Sequence, residues 1–238
     1  MIGERAKRVP RGDFHELPVM DRYRGAPWGT RLFLFLRWRL TPYGEMASHL
    51  PPNGLIFDLG CGHGLFSMEL VRTSPARRVV GFDLDPERIR IARKACAGVE
   101  NLLFEDAALS PLEGRTQRLG RPDAISMIDV LHYLEPRDQE SLLAQAWRVL
   151  PDHGVLIVRE VSPERGWISK WNRLYEKIAT RIGSTPAMTG AHFFRTRDQW
   201  LRLLTAAGFR ARALRCSSFL FADVLFIGEK AAVPARPE

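Results

Sequence analysis

The chain has no long hydrophobic run. Nowhere in its 238 residues do apolar side chains approach the ~18 in succession that a membrane-spanning helix requires. The nearest stretch, Leu32 to Leu36, is bracketed by arginines. The N-terminus lacks the apolar run and small-residue cleavage site of a secretory signal. Cysteine is scarce and odd in number: Cys61, Cys96 and Cys216 stand at spacings that suit neither a disulfide framework nor a metal site. There is no internal repeat and no long low-complexity tract. No group of histidines and acids has metal-ligand spacing, so no metal is expected. These absences argue against a membrane span and a disulfide scaffold, and they point to a reducing, cytoplasmic location.

What is present suits one globular domain with additions. The length fits a single domain, and the apolar fraction of 45% is ordinary for a chain that buries one large core. The formal net charge of +8 is unevenly placed. Residues 1–40 carry a net +5 and residues 159–215 a net +8, while the span 41–158 between them is −4. Two basic segments thus flank a mildly acidic middle. Such asymmetry either keeps the chain soluble or attracts anions.

The order of elements gives the fold class. Trp28–Arg39 reads as an amphipathic helix, and a second short helix runs to Leu50, stopped by Pro51-Pro52-Asn53-Gly54. An alternation follows. Strands are expected at Leu55–Leu59, Arg78–Asp83, Asn101–Glu105, Asp123–Ile128 and Val155–Val161, with helices at Leu65–Thr73, Pro86–Ala97 and Gln139–Leu150. Strands alternating with helices imply parallel βαβ units and a sheet covered on both faces. Beyond residue 161 the pattern changes to an aromatic, basic helix over Gly166–Ile182, a helix over Thr196–Ala207, and two closely connected strands, Phe209–Cys216 and Phe219–Gly228. That last pair reads as antiparallel at the sheet edge. The expected organisation is a basic helical cap over 1–50, an α/β domain over 51–230 with an insertion at 162–195, and a disordered tail over 231–238.

The decisive constellation is Ile56-Phe57-Asp58-Leu59-Gly60-Cys61-Gly62-His63-Gly64, where the first strand hands over to a helix. Ligands of open α/β sheets bind outside the carboxyl ends of the strands, and glycines there let backbone approach a ligand closely. Val79-Val80-Gly81-Phe82-Asp83 ends the next strand in a carboxylate that can accept hydrogen bonds from both hydroxyls of a ribose. Dinucleotide sites share both features, but their fingerprint is G-x-G-x-x-G. The third glycine of that pattern would fall at Leu65, whereas the spacing here is G-x-G-x-G, preceded by Asp58. A carboxylate there is awkward beside a pyrophosphate and suits a ligand bearing a sulfonium and an ammonium.

From about residue 53 to 160 the chain resembles the class I S-adenosylmethionine-dependent methyltransferase family. Asp58-Leu59-Gly60-Cys61-Gly62-His63-Gly64 matches the family's first motif, Asp83 its ribose-binding acid, and Phe104-Glu105-Asp106-Ala107 the segment that contacts adenine. The stretch from Asp123 to Leu134 resembles the fourth-strand motif. Leu150-Pro151-Asp152-His153-Gly154 resembles the turn before the fifth strand, with Asp152-His153 where a glycine pair is more usual. The resemblance implies a doubly wound, seven-stranded, mostly parallel sheet with the last strand antiparallel and an N-terminal helical cap. The cofactor it implies is S-adenosyl-L-methionine. The residues it implies for cofactor binding are Asp58, Gly60, Cys61, Gly62, Gly64, Asp83, Leu84, Asp106, Ala107 and Asp129.

Several of these have a second reading. Asp58 could only shape the loop, and Asp129 could cap the following helix. Cys61 reads as a small residue between glycines rather than a nucleophile, and Asp85 as the cap of the helix from Pro86. His132, after the fourth strand, is the general-base candidate by chemistry, since histidine titrates near neutrality. Glu160 and His192 compete with it. Trp167, Trp171, Tyr175, Phe193 and Phe194 cluster in the insertion, where packing alone would account for most of them.

The expected reaction is displacement of a methyl group from a sulfonium, the protein supplying position and desolvation. The Asn/Asp-Pro-Pro-Tyr motif of many methyltransferases acting on nucleobase amines or glutamine is absent after the fourth strand. The preferred acceptor is therefore a small molecule, and the two basic segments together with the aromatics of the insertion and of the cap (Trp28, Phe33, Phe35, Trp38) point to an anionic, largely apolar one, an acyl or aryl chain that is free or linked to a carrier or lipid. A peripheral contact with anionic lipid headgroups fits the same pattern. A nucleic-acid methyltransferase using the basic segments is a weaker alternative. So is a non-catalytic S-adenosylmethionine-binding protein, and Leu65 disfavours a nicotinamide oxidoreductase.

Overall fold

A computed structural model describes residues 19–161, 192–216 and 223–231. A seven-stranded sheet runs through it: β1 (Gly54–Leu59), β2 (Arg77–Asp83), β3 (Leu102–Asp106), β4 (Ala124–Ile128), β5 (Val155–Val161), β6 (Phe209–Arg215) and β7 (Asp223–Lys230). The spatial order is β3-β2-β1-β4-β5-β7-β6. The pairings from β3 across to β5 are parallel, and β7 runs antiparallel to both β5 and β6. The chain therefore reverses its direction of winding at β1, which leaves a crevice between the carboxyl ends of β1 and β4.

The helices are α1 (Trp28–Leu40), α2 (Tyr43–Ser48), α3 (Leu65–Thr73), α4 (Pro86–Ala95), α5 (Glu113–Leu119), α6 (Pro136–Val149) and α7 (Arg197–Ala206). Short 3-10 turns cover Val19–Tyr23 and Leu131–Tyr133. One core contains Leu34, Met46, Leu70, Ile89 and the side chains of one sheet face. The other contains Leu142, Leu143, Trp200, Leu204 and the opposite face. Central strands buried on both sides read as apolar runs, as Leu55 to Phe57 of β1 do before Asp58.

The expected limits of α3 and β5 agree with the structure. Asp85 caps α4, accepting from the amides of Glu87 at 2.9 Å and Arg88 at 3.2 Å with Pro86 in the first turn. Thr196 and Gln199 form a capping box on α7. The final antiparallel pair is present, with β7 inserted between β5 and β6, so that β6 is the edge. Helix α5 was not foreseen: Glu113–Leu119 buries only Arg115 within the helix, so it carries no apolar stripe to read. The helix expected over Gly166–Ile182, the first part of the strand expected from Phe219 and most of the expected tail lie outside the described residues.

Arg77 holds the cap side of the sheet together. Its guanidinium is buried and donates to the carbonyls of Pro51 (2.7 Å), Leu70 (3.0 Å), Ala47 (2.8 Å) and Leu50 (3.1 Å), and to the Thr73 hydroxyl (2.9 Å). It thereby adds a charged donor to the carbonyls at the ends of α2 and α3 and to those of Leu50 and Pro51 just beyond α2. Replacing it with Met removes the donor that the Leu50 and Pro51 carbonyls meet among the described residues, and one donor each from the Ala47 and Leu70 carbonyls. Arg77→Met is expected to lower the unfolding free energy by about 3 kcal/mol or more, measured by urea titration; a change within about 0.5 kcal/mol would mean that water replaces the guanidinium.

Candidate active site

The site is built at the carboxyl ends of β1, β2, β4 and β5. Where β1 ends, the amides of Gly60 and Cys61 donate to the carbonyl of Phe82 at 2.8 and 3.0 Å, which stitches the glycine loop to the end of β2. Gly60, Gly62 and Gly64 have φ of 75°, 55° and 81°, a region in which L side chains are strained. Two of the three also fill packing demands. A Cβ on Gly60 would lie 2.4 Å from Val130 Cγ2, and one on Gly64 would lie 2.6 Å from Phe104 Cζ. Gly62 differs, since a Cβ there would meet nothing within 4 Å. Its bare face is the open side of the loop.

Asp83 ends β2 beside this opening. Its Oδ2 accepts from the Gly62 amide at 2.8 Å and its Oδ1 from the Asp85 amide at 3.0 Å. A carboxylate offers about four lone-pair positions, so acceptor capacity remains on both oxygens. Leu84 is 49% exposed next to it. Asp106, also exposed, is its register partner on β3, and the Ala107 amide donates to the Asp83 carbonyl at 3.0 Å. Asp83, Leu84, Asp106 and Ala107 form one rim.

Asp58 lies beneath the loop. It is buried, its Oδ2 accepts from Ser67 of α3 at 2.5 Å, and its Oδ1 accepts from Ser126 of β4 at 2.7 Å. Burial pushes its carboxyl up to about 6, against the pull of the two hydroxyls. Cys61 turns its sulfur towards Gly81, where a Cβ would stand 2.9 Å from it. Burial raises its thiol well above the ordinary value, opposite to what a nucleophile needs.

His63 is covered by the cap. Tyr23 donates its hydroxyl to the His63 carbonyl at 2.8 Å, and the Phe33 ring of α1 lies 6.1 Å from the imidazole. Burial, aided by Arg88 and Arg37, drives the ring from 6.5 to about 3, so it is neutral.

Asp129 follows β4 with φ of 54°, strained for a residue with a side chain. It does not cap the turn after it, which has no side-chain cap. Instead its Oδ2 accepts from Arg37 of α1 at 2.8 Å and from Arg159 of β5, and Arg159 also donates to Asp223 of β7. Burial alone would raise the Asp129 carboxyl; Arg159 and Arg37 hold it below its ordinary value. Its Oδ1 is buried and accepts no hydrogen bond among the described residues.

The structure brings the expected base candidates together. His132 Nδ1 and Glu160 Oε2 are 2.7 Å apart and both side chains are buried. Glu160 Oε1 accepts from the Leu131 amide at 2.7 Å. The rings of Phe194 and His192 lie 5.1 and 5.7 Å from His132, and the Phe193 amide donates to the His132 carbonyl at 2.8 Å. Gln139 bridges the carbonyls of Leu131, Leu134 and Phe193, while Arg195 donates to Gln139 Oε1 at 2.6 Å. Sequence reasoning missed Gln139 and Arg159, which no local pattern marks, and it counted Arg37 only as part of a basic rim, whereas the structure pairs it with Asp129. Trp167, Trp171 and Tyr175 lie outside the described residues. Among the described residues no group of three or more His, Cys, Asp or Glu could hold a metal ion, and no helix is long and apolar enough to cross a membrane.

Comparison with known proteins places the chain in a family. A family model described as a methyltransferase domain matches residues 35–214. A demethylmenaquinone methyltransferase of Deinococcus radiodurans is 30% identical over 207 residues, covering 81% of each chain. The chain belongs to the class I S-adenosylmethionine-dependent methyltransferases. Human N-acetylserotonin methyltransferase, solved with its cofactor, shares the fold at 19% identity and a TM-score of 0.62, over 94% of this chain and 61% of its own. A Haloferax volcanii methyltransferase complexed with the activator Trm112 does so at 15% identity and a TM-score of 0.67, over 92% of this chain and 100% of the other. The fold of this methyltransferase also fits its cofactor. The uncovered face of Gly62 leaves room against backbone, and the Asp129 oxygen without a donor lies at the neighbouring strand end, where a cation would satisfy it.

The neutral His63 makes the cap sensitive to acid. Its folded-state pKa lies below its ordinary value, so the stability it contributes is present above about 6.5 and is lost as pH falls towards about 3. Against His63→Phe, which keeps a ring beside Phe33, the wild type is expected to lose up to about 1.4 kcal/mol per pH unit across that window. Urea titrations of both proteins at several pH values read this directly. Parallel stability curves would show that His63 protonates freely in the folded state.

Proposed function

We propose that this methyltransferase methylates a small, largely apolar acceptor bearing an anionic group, an acyl or aryl compound free or linked to a carrier or lipid, with His132 as the base that takes the acceptor's proton. The observation that carries the reading is the buried His132–Glu160 pair. A carboxylate on Nδ1 fixes the tautomer, so Nε2 carries the basic lone pair, and it stabilises the imidazolium once a proton arrives. A carboxylate acceptor would need no base, whereas a hydroxyl of high pKa would. The pair thus favours an oxygen acceptor with a proton to lose. Apolar character is supported by the Phe194 and Tyr133 rings around His132, and the anionic group by the two basic segments. The Deinococcus radiodurans relative is named for a quinone, which supports the apolar character alone.

In this reading Asp83 holds the ribose hydroxyls of the cofactor. Leu84, Asp106 and Ala107 flank the adenine, the backbone from Gly60 through Cys61 and Gly62 to Gly64 lies along the amino-acid end, and Asp129 attracts the ammonium. When bound, S-adenosylmethionine supplies a methyl group activated by a sulfonium. Asp58 keeps the loop in place from below. His132 and Glu160 hold the proton released by the acceptor.

Two measurements test this. Asp83→Ala is expected to weaken S-adenosylhomocysteine binding at least tenfold by calorimetry, since hydrogen bonds to a charged acceptor contribute about 1.5–3 kcal/mol; unchanged affinity would remove Asp83 from the cofactor site. A panel of hydroxyaryl acids, quinols and acyl conjugates, screened with radiolabelled cofactor, supplies the acceptor. With it, His132→Ala is expected to lower kcat about a hundredfold or more without changing cofactor affinity, and Glu160→Gln to shift the pH profile of kcat. Full turnover by His132→Ala would sink the base.

A further inference from the structure

Helix α1 is apolar on two sides. Its inner side buries Thr30 and Leu34, sets Phe33 near His63 and pairs Arg37 with Asp129, which fastens the helix over the glycine loop. Its outer side leaves Trp28 75%, Leu32 40%, Phe35 48% and Leu36 40% exposed. At helical spacing these four lie on one face. Arg31 and Arg39 are exposed on that same face, and the helix contains no acidic residue. Scattered exposed apolar side chains need no explanation, but a contiguous set with an exposed tryptophan at its end marks an interaction surface.

We propose that this face docks the protein on the surface of a bilayer containing anionic phospholipid. Trp28 and Phe35 would enter the boundary between headgroups and acyl chains, and Arg31 and Arg39 would meet headgroup phosphates. Charge decides among occupants. A second copy packed face to face about a two-fold axis would bring arginines against arginines with no acid in the helix to neutralise them. An anionic membrane satisfies both halves of the face at once, apolar depth for the rings and phosphate for the guanidinium groups. Because α1 also closes over the loop at the carboxyl edge of the sheet, docking would set the site beside an apolar phase. The use made of that position rests on the apolar-acceptor reading above; the docking itself does not.

The test uses the full chain with extruded vesicles, one set of phosphatidylcholine alone and one of equal parts phosphatidylcholine and phosphatidylglycerol. The protein is expected to co-sediment with the phosphatidylglycerol vesicles, weakly with the neutral ones, and less at high salt. Arg31→Gln and Arg39→Gln should each weaken that partition about fivefold, and Trp28→Ser with Phe35→Ser should abolish it. All variants should bind S-adenosylhomocysteine as the wild type does, which shows them folded. Absence of partition by the wild type, or partition that survives both sets of changes, overturns the proposal. A wild-type dimer that Trp28→Ser with Phe35→Ser makes monomeric, with no vesicle binding, assigns the face to a second copy instead. Each of these results leaves the methyltransferase reading standing, and failure of the His132 test leaves the vesicle result standing.

Discussion

A carboxylate removed from water must be satisfied where it lies, or it costs several kcal/mol. At Asp58 two hydroxyls on different elements supply that satisfaction: Ser67 on α3 and Ser126 on β4. The end of β1 is thereby tied to the helix that follows the loop and to the strand across the switch point. The loop between them then has little freedom. Gly60 presses on Val130 and Gly64 on Phe104, so the same constraint sets the distance from the glycine loop to the residues after β4. Asp129 and His132 sit where they do because Val130, between them in the chain, is seated on Gly60.

A second buried array joins the cap to the sheet. Arg37, Asp129, Arg159 and Asp223 alternate in sign from α1 across β4 and β5 to β7. Buried ion pairs are weak sources of net stability, because desolvation offsets much of their attraction. Their value here is positional. A cap held only by apolar contacts could slide over the loop, whereas Arg37 must meet Asp129, and Tyr23 must meet the His63 carbonyl. The cost is a buried charge network and a strained φ at Asp129, and both fall at the site rather than in the body of the fold, where such strain tends to concentrate.

In the proposed reading the site has a cofactor half and an acceptor half, and the two differ in origin. The cofactor half is contiguous in motif: the loop after β1 and the strand end at Asp83. The acceptor half is assembled from the turn Leu131–Tyr133, Glu160 and the segment 192–195, held together by Gln139 and its three carbonyl partners. The first half is what a family of enzymes sharing one cofactor has in common. The second half can vary with the acceptor, because its parts come from separate connections that the sheet merely brings near one another.

The sequence by itself determined the class. Alternating apolar runs and helical stripes, G-x-G-x-G after a strand, an acid ending the next strand and a capping aspartate before Pro86 are all local, and local patterns report backbone conformation directly. The parallel βαβ units and the final antiparallel pair therefore followed from reading along the chain, and the doubly wound order and the cofactor from the family resemblance that its motifs carry, while α5, with no apolar stripe, did not. The tertiary structure alone decided what each polar side chain does. Asp58 meets Ser126 across 68 positions, His132 meets Glu160 across 28, and Arg37 meets Asp129 across 92. The alternative reading of Asp129 as a helix cap gave way to two arginines. One-dimensional periodicity carries no information on which distant charges share a buried volume; that is fixed only when the sheet stacks its strand ends side by side, and desolvation then forces every charge there to find a partner.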